Sequence, residues 1–402
     1  MTASPGPRYY GFVVGGATPA ALIGDWLTSL YDQNTLTATG PGDISGNIEI
    51  ATINLMLQLF GLPSDFHGGF VSGATMSNFT CLATARQWAG KKQGIDIARE
   101  GLKQSSITII SATPHSSAVK CLSMLGIGST QFIQIPLLKG RESADINAMK
   151  EILSKTKGPV ILISSGGTVN TVDFDDMQSI SELKKQYDFW WHVDAAFGGF
   201  ASCSPKYNHL LSGWENADSI SIDCHKWMNV PYDSAVFFTK KIHETIQRAV
   251  FQHSNAPYLG NPEEKFGYLN FLPESSRRFR ALPAWFALHA YGADGFRQIV
   301  ENNITQARSL GEKLERSGEF ILAAPVLLNV VCFSVKDKQQ DAAYMKEFVA
   351  ALTVRGKVFM TPTVYNGMYS IRAAFVNWRT TEKDVDITLQ ELKEVKTLMT
   401  SS

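Results

Sequence analysis

Lys226 ends a run, residues 219–226, that reads Ser-Ile-Ser-Ile-Asp-Cys-His-Lys. Apolar and polar residues alternate over 219–222, the pattern of a strand with one buried face. The polar cluster Asp223, Cys224, His225 and Lys226 comes where that strand should end. In an α/β sheet the carboxyl ends of the strands open onto the ligand crevice. A lysine held there between apolar walls is disfavoured in its charged form, which frees the amine to attack a carbonyl. The bland alternative is a solvated surface lysine, since lysine is rarely buried.

Upstream, residues 189–199 read Phe-Trp-Trp-His-Val-Asp-Ala-Ala-Phe-Gly-Gly, a buried strand ending in one carboxylate, Asp194. A buried carboxylate needs a positive or hydrogen-bonding partner. A structural ion pair or a cap would serve, and so would a protonated pyridine nitrogen. A lysine and an acid at the ends of consecutive strands are the two groups that pyridoxal 5′-phosphate (PLP) requires, one for covalent attachment and one for its ring nitrogen.

The segments His-Val-Asp-Ala-Ala-Phe-Gly-Gly and Asp-Cys-His-Lys-Trp resemble those of the PLP-dependent amino-acid decarboxylases of the aromatic-amino-acid and glutamate type. The resemblance runs from about residue 10 to residue 385, with the motifs in the family's order. It implies an α/β protein of the PLP-dependent transferase-like, aspartate aminotransferase type (fold type I). A large domain with a mainly parallel, doubly wound sheet would be joined by a smaller C-terminal α/β domain. By matching position it implies that Lys226 carries the cofactor, Asp194 meets its ring nitrogen and His115 stacks on its ring. Ala74 and Thr75, in a glycine-rich turn leading into a helix, match the phosphate site. Such a turn presents free N–H groups to an anion. Thr168, Ala196 and His225 complete the expected cofactor set. Phe12 matches a substrate-pocket aromatic and Arg372 an arginine that holds the substrate carboxylate, for which a guanidinium is suited. A loop tyrosine that delivers a proton to the substrate is matched to Tyr268, with Tyr258 anchoring the start of that loop.

Three departures matter. Residues 166–168 read Gly-Gly-Thr where the family often has Gly-Thr-Thr, which removes a hydroxyl at Gly167. Asp223 stands where many members have asparagine, and a carboxylate repels a phosphate unless it is turned away or paired. The family's N-terminal helical flap is far longer than the segment here, so a shortened or truncated arm is expected, with consequences for the dimer interface.

The elements that must position these groups are legible as a pattern. Helix and buried strand alternate from about residue 50 to 240, the signature of a doubly wound sheet. Thr18 and Pro19 read as the cap and first residue of a helix with Leu22, Ile23, Trp26, Leu27 and Leu30 on one face. Thr113 and Pro114 read the same way before His115. Residues 251–276 hold several prolines and glycines and few periodic apolar positions, so a lid is expected there. Arg277, Arg278 and Arg280 read as structural pairing, because no aromatic platform for nucleic acid accompanies them. The expected domains are 1–47 (arm and helix), 48–276 (PLP-binding) and 277–402 (C-terminal).

Composition narrows the classes. Lysine plus arginine equals aspartate plus glutamate, 37 each in 402 residues, which gives no electrostatic argument for nucleic acid or an anionic membrane. Five scattered cysteines read as reduced thiols of a cytoplasmic protein, with no metal-site spacing. No apolar stretch reaches the ~20 residues of a membrane span. The expected activity is decarboxylation of an L-amino acid, aromatic or large and apolar since Phe12, Val13 and Val14 are apolar, by a homodimer. The alternatives are oxidative decarboxylation to an aldehyde and a non-catalytic partner subunit.

Overall fold

The computed structural model of the protein describes residues 3–36, 43–102, 105–130, 132–252 and 267–400. Its first helices are α1 (Pro19–Tyr31) and α2 (Ser45–Leu59). Strand β1 (Phe66–Val71) leads into α3 (Ala74–Lys91) and the short α4 (Ile97–Glu100). Then come β2 (Thr108–Ser111), α5 (Ser116–Met124), β3 (Phe132–Gln134), α6 (Ile146–Lys155), β4 (Val160–Ser165), α7 (Met177–Lys184) and β5 (Phe189–Asp194). Strands β6 (Ser219–Asp223) and β7 (Ala235–Lys240) and helix α8 (Glu244–Phe251) complete the first unit.

The seven strands form one sheet in the order β1-β7-β6-β5-β4-β2-β3. Strands β3, β2, β4, β5 and β6 run parallel, while β7 is antiparallel to both neighbours. The sheet is therefore mainly parallel, as expected. Strands β4 to β7 are buried along nearly their whole length, which is why they read as apolar runs. The tryptophans of β5 keep their N–H groups satisfied inside the core: Trp190 donates to Ser219 Oγ at 3.0 Å and Trp191 to Ser164 Oγ at 2.8 Å.

The long helix α9 (Ala281–Ser317), kinked at Gly292, links this unit to a four-stranded antiparallel sheet. That sheet holds β8 (Phe320–Leu322), β9 (Val330–Val335), β10 (Thr361–Tyr365) and β11 (Met368–Ala374) in the order β10-β11-β9-β8. Helices α10 (Ala342–Arg355) and α11 (Glu382–Thr400) cover it. The apolar cores divide inside α9, since Phe296, Val300 and Ile304 belong to the larger core and Ala307, Leu310 and Leu314 to the smaller. That division falls C-terminal to the border expected at 277.

Two local expectations are corrected. Helix α1 begins at Pro19, but its inward residues are Ala21, Gly24 and Thr28. Ile23, Trp26 and Leu30, of the apolar face read from the sequence, are exposed. The reason is close packing, because a Cβ on Gly24 would lie 2.7 Å from Pro283 Cα, so only a face of small residues fits against α9. Helix α5 is capped by His115 rather than Thr113: His115 Nδ1 accepts the Ser117 N–H at 3.2 Å.

The arginine cluster is structural. Arg277 and Glu49 are wholly buried and meet through paired bonds, Nη1 to Oε1 at 3.0 Å and Nη2 to Oε2 at 2.9 Å. Glu49 Oε1 also accepts the Phe70 N–H at 2.8 Å. Removing one member strands a buried charge, which costs about 3–5 kcal/mol. Glu49→Ala should lose that much in urea unfolding; a loss under about 1 kcal/mol would show that the pair does not brace β1.

Candidate active site

The parallel order brings the carboxyl ends of β2, β4, β5 and β6 side by side, and a cavity of about 450 Å³ opens over them. Lys226, Asp194, His115, Thr168, Ala196, Arg372 and Phe12 all line it. The loops after β4 and β5 form its floor by close backbone approach. A Cβ on Gly198 would lie 1.9 Å from Gly166 O, so a side chain there would push the loops apart. The N-terminal segment crosses from the small sheet, where Tyr10 N donates to Phe359 O at 2.9 Å, to the lysine. A Cβ on Gly15 would meet Lys226 O at 1.7 Å. Phe12 and Val13 hold left-handed backbone at φ 57° and 59°. For a β-branched residue this conformation is strained, and such strain collects at ligand clamps.

Asp194 ends β5 and is buried. Its carboxylate accepts from Asn78 Nδ2 at 3.0 Å and from Ala196 N at 3.3 Å. Among the described residues it forms no ion pair, so a buried charge faces the cavity without a cation. Lys226 does not sit between purely apolar walls: its Nζ is 2.8 Å from Asp223 Oδ2 and 5.9 Å from the centre of the Phe197 ring. Asp223 is paired twice, since its Oδ1 also accepts the Ala74 N–H at 2.6 Å. The carboxylate that would repel a phosphate is thus tied to the first turn of α3 and to Lys226. Ala74, Thr75 and His225 lie outside the cavity lining. His225 sits behind Asp223, 3.5 Å from its Oδ1, and stacks on Tyr232.

His115 is placed on the cavity wall by its capping role, and burial pushes its imidazole below the usual histidine range against the opposing pull of Asp194. Thr168 lines the cavity, but its hydroxyl is spent inside the protein. It donates to Glu142 Oε2 at 2.6 Å and accepts from Asp173 N at 2.9 Å. Arg372, on β11, is buried with no hydrogen-bond or ion-pair partner among the described residues, and its Nε is unsatisfied. Burial lowers its pKa from the ordinary arginine value. A buried guanidinium needs an anion, and the open side is the cavity.

Tyr268 does not belong to this site. It is 1% exposed, packed among Val71, Phe237 and Leu272, with the Arg277 guanidinium 4.6 Å over its ring. Burial raises its phenol well above the usual value, the opposite of what a proton donor at the cavity needs. Matching across a loop without periodicity misplaced it, and Tyr258 lies outside the described residues. Sequence reasoning missed Glu142 on the cavity wall, because no pattern in the sequence ties the loop after β3 to the site. It also missed Asn78 and Ser117, whose only signal was polarity on helix faces that pack inward.

The cavity fits PLP. It combines an amine, a buried carboxylate lacking a cation and a buried guanidinium lacking an anion. Residues 1–336 match the family described as pyridoxal-dependent decarboxylase conserved domain. The chain belongs to this family and is a PLP-dependent carboxy-lyase. It is 28% identical over 403 residues to an aromatic-L-amino-acid decarboxylase of Bacillus atrophaeus, covering 98% of this chain and 81% of the relative. It is 26% identical over 422 residues to a phenylacetaldehyde synthase of Petunia hybrida, with 98% and 81% covered. The fold matches Oryza sativa TDC solved with PLP and tryptamine, at TM-score 0.89 and 21% identity, over 99% of this chain and 85% of the other. It also matches Catharanthus roseus tryptophan decarboxylase in complex with L-tryptophan, at TM-score 0.84 and 23% identity, over 98% and 84%.

Two outcomes follow from these placements. Tyr268→Phe should keep the parental product and turnover within about threefold, because the ring is core; a switch of product would put the phenol back in the reaction. His192, wholly buried on β5, has its pKa lowered by desolvation to about 4 from 6.5. The unfolded chain then binds more protons between those values, so stability present above about pH 6.5 is lost as pH falls toward 4. The loss amounts to about 3 kcal/mol. Urea unfolding across this window should show that slope in the parent and a flatter one in His192→Gln.

Proposed function

We propose that the chain decarboxylates an aromatic L-amino acid to its amine and CO2, working as a cytoplasmic homodimer. The observation that carries this reading is Arg372, a buried cation without an anion, on the same cavity as Lys226 and Asp194. The remaining walls include Phe12, Val13, Pro114, Ile163 and Phe197, which suit a flat apolar side chain. Glu142 adds a negative charge to the wall, which disfavours a second carboxylate and so argues against glutamate as substrate. Relatives named as aromatic-amino-acid, tryptophan and tyrosine decarboxylases support the same class.

Each group has a task in this reading. Bound PLP supplies an aldehyde carbon for an amine and a cationic ring that withdraws electrons. Lys226 presents its amine to that aldehyde, held until then by Asp223. Asp194 keeps a proton on the ring nitrogen by offering it a buried negative charge. His115, on the cavity wall, would help hold the ring, and Arg372 would hold the substrate carboxylate. The apolar walls keep water away, which strengthens these charged contacts. Thr168 and Ala196 would flank the cofactor on the cavity wall, while Ala74 and His225 would act on it only through Asp223.

The exposed stripe of Ile23, Trp26 and Leu30 on α1 supports pairing of two copies. No helix among the described residues is long and apolar enough to cross a membrane, and all five cysteines are free thiols. The oxidative alternative draws support from the phenylacetaldehyde synthases among the relatives and from the burial of Tyr268.

A panel of L-tryptophan, L-tyrosine, L-phenylalanine and L-glutamate, with amine, aldehyde, ammonia and peroxide separated, tests the proposal. Amine from the aromatic substrates and none from glutamate is expected. Aldehyde with peroxide as the main products would replace it with the oxidative reading, and preference for glutamate would overturn the substrate class. Arg372→Leu should raise KM about 10- to 100-fold, the worth of a hydrogen bond between charged groups; an unchanged KM would remove Arg372 from substrate binding.

A further inference from the structure

Behind Asp194 the buried polar side chains form one hydrogen-bond chain, and the carboxylate at its end, which can only accept, orients the members next to it. Trp190 Nε1–H donates to Ser219 Oγ at 3.0 Å. Ser219 Oγ lies 2.9 Å from His192 Nδ1 and donates to it when His192 carries its proton on Nε2. His192, neutral through burial, keeps its proton on Nε2 and donates to Asn78 Oδ1 at 2.9 Å. That turns the Asn78 amide nitrogen toward Asp194 Oδ2 at 3.0 Å and Ser117 Oγ at 3.2 Å. Ser117 hands its hydroxyl proton to His115 Nδ1 at 2.7 Å. His115 Nδ1 also accepts the Ser117 N–H, so His115 carries its proton on Nε2.

Trp190, His192, Ser219 and Asn78 are each wholly buried. An apolar side chain at 192 would fill the same space and need no partner. What the imidazole adds is direction. Without a donor at Nε2, the Asn78 amide would be free to turn its oxygen toward Asp194, and two acceptors would then face each other.

We propose that Asn78 and His192 are positioning residues that present an N–H to Asp194 and aim its carboxylate at the cavity. The proposal rests on the reading that Asp194 meets the cofactor ring nitrogen. The titratable groups around Asp194 are His192 on its own strand, His115 and Cys121 from the α5 side, and Lys226 on the same cavity. Of these His192 and His115 are neutral at physiological pH and Lys226 is paired with Asp223, so the direct partners of the Asp194 carboxylate are the N–H groups of Asn78 and Ala196. Losing the Asn78 donor takes away one of the two hydrogen bonds that the Asp194 carboxylate accepts.

The test is titration of the chain with PLP, followed by cofactor absorbance across pH, for His192→Leu, His192→Gln, Ser219→Ala and Asp194→Asn. His192→Leu should weaken PLP about tenfold and shift the acid limb of binding to higher pH. His192→Gln, whose amide nitrogen can again donate to Asn78, should recover most of both. Ser219→Ala should move both in the same direction by less. A merely structural role would lower thermal stability and leave the acid limb where it was. Parental affinity and an unmoved acid limb in His192→Leu and Ser219→Ala overturn the proposal. Should His192→Leu not fold, Ser219→Ala, which removes one hydroxyl, decides alone. If Asp194→Asn is impaired while the other variants are not, only the proposal falls; if Asp194→Asn also behaves as the parent, the assignment of Asp194 falls with it.

Discussion

A carboxylate buried at the end of a strand, with no ion-pair partner among the described residues, is the constraint on which this structure turns. Isolated charge in a low-dielectric interior is costly, and the protein meets Asp194 with two N–H groups instead of a lysine or arginine. The charge therefore stays available to something that enters the cavity. Arg372 poses the mirror problem from the other side, a buried cation with its Nε unsatisfied. Neither charge has an ion-pair partner among the described residues, and in the proposed reading a zwitterionic substrate and a cationic cofactor ring would complete both.

The fold is arranged to hold those two charges across one space. Asp194 and Lys226 come from neighbouring parallel strands of the large sheet, so their spacing is set by the strand ladder between β5 and β6. Arg372 comes from the small sheet, where β11 is paired on both sides. The N-terminal segment fastens the two units together, bonding to the small sheet at Tyr10 and pressing Gly15 against the Lys226 carbonyl. The ion pair of Asp223 with Lys226 occupies the first turn of α3, the place where a helix offers N–H groups to an anion.

Much of this was legible from local pattern. Asp194 closes a buried strand and Lys226 lies in the turn after the next one, and a polar cluster at the end of an apolar run is visible without coordinates. His115, Arg372 and the sheet class followed from a family resemblance that the family match bears out at the level of fold and chemistry. What failed did so where the deciding contacts are long-range. The apolar stripe on α1 was clear, but periodicity does not say which face meets the core, and small residues won that face by close approach to Pro283. Tyr268 was assigned across a loop with no period to hold the register, and it is core. Asn78 and Glu142 reach the site from α3 and from the loop after β3, so only the folded chain brings them to Asp194 and Thr168.

The central claim is that Lys226 is the residue joined to PLP over Asp194 in this cavity. Borohydride reduction of the PLP-loaded chain, followed by peptide mapping, tests it most directly. The account predicts one pyridoxyl adduct, on the peptide containing Lys226. An adduct spread over surface lysines, or confined to a lysine outside the cavity, would contradict it.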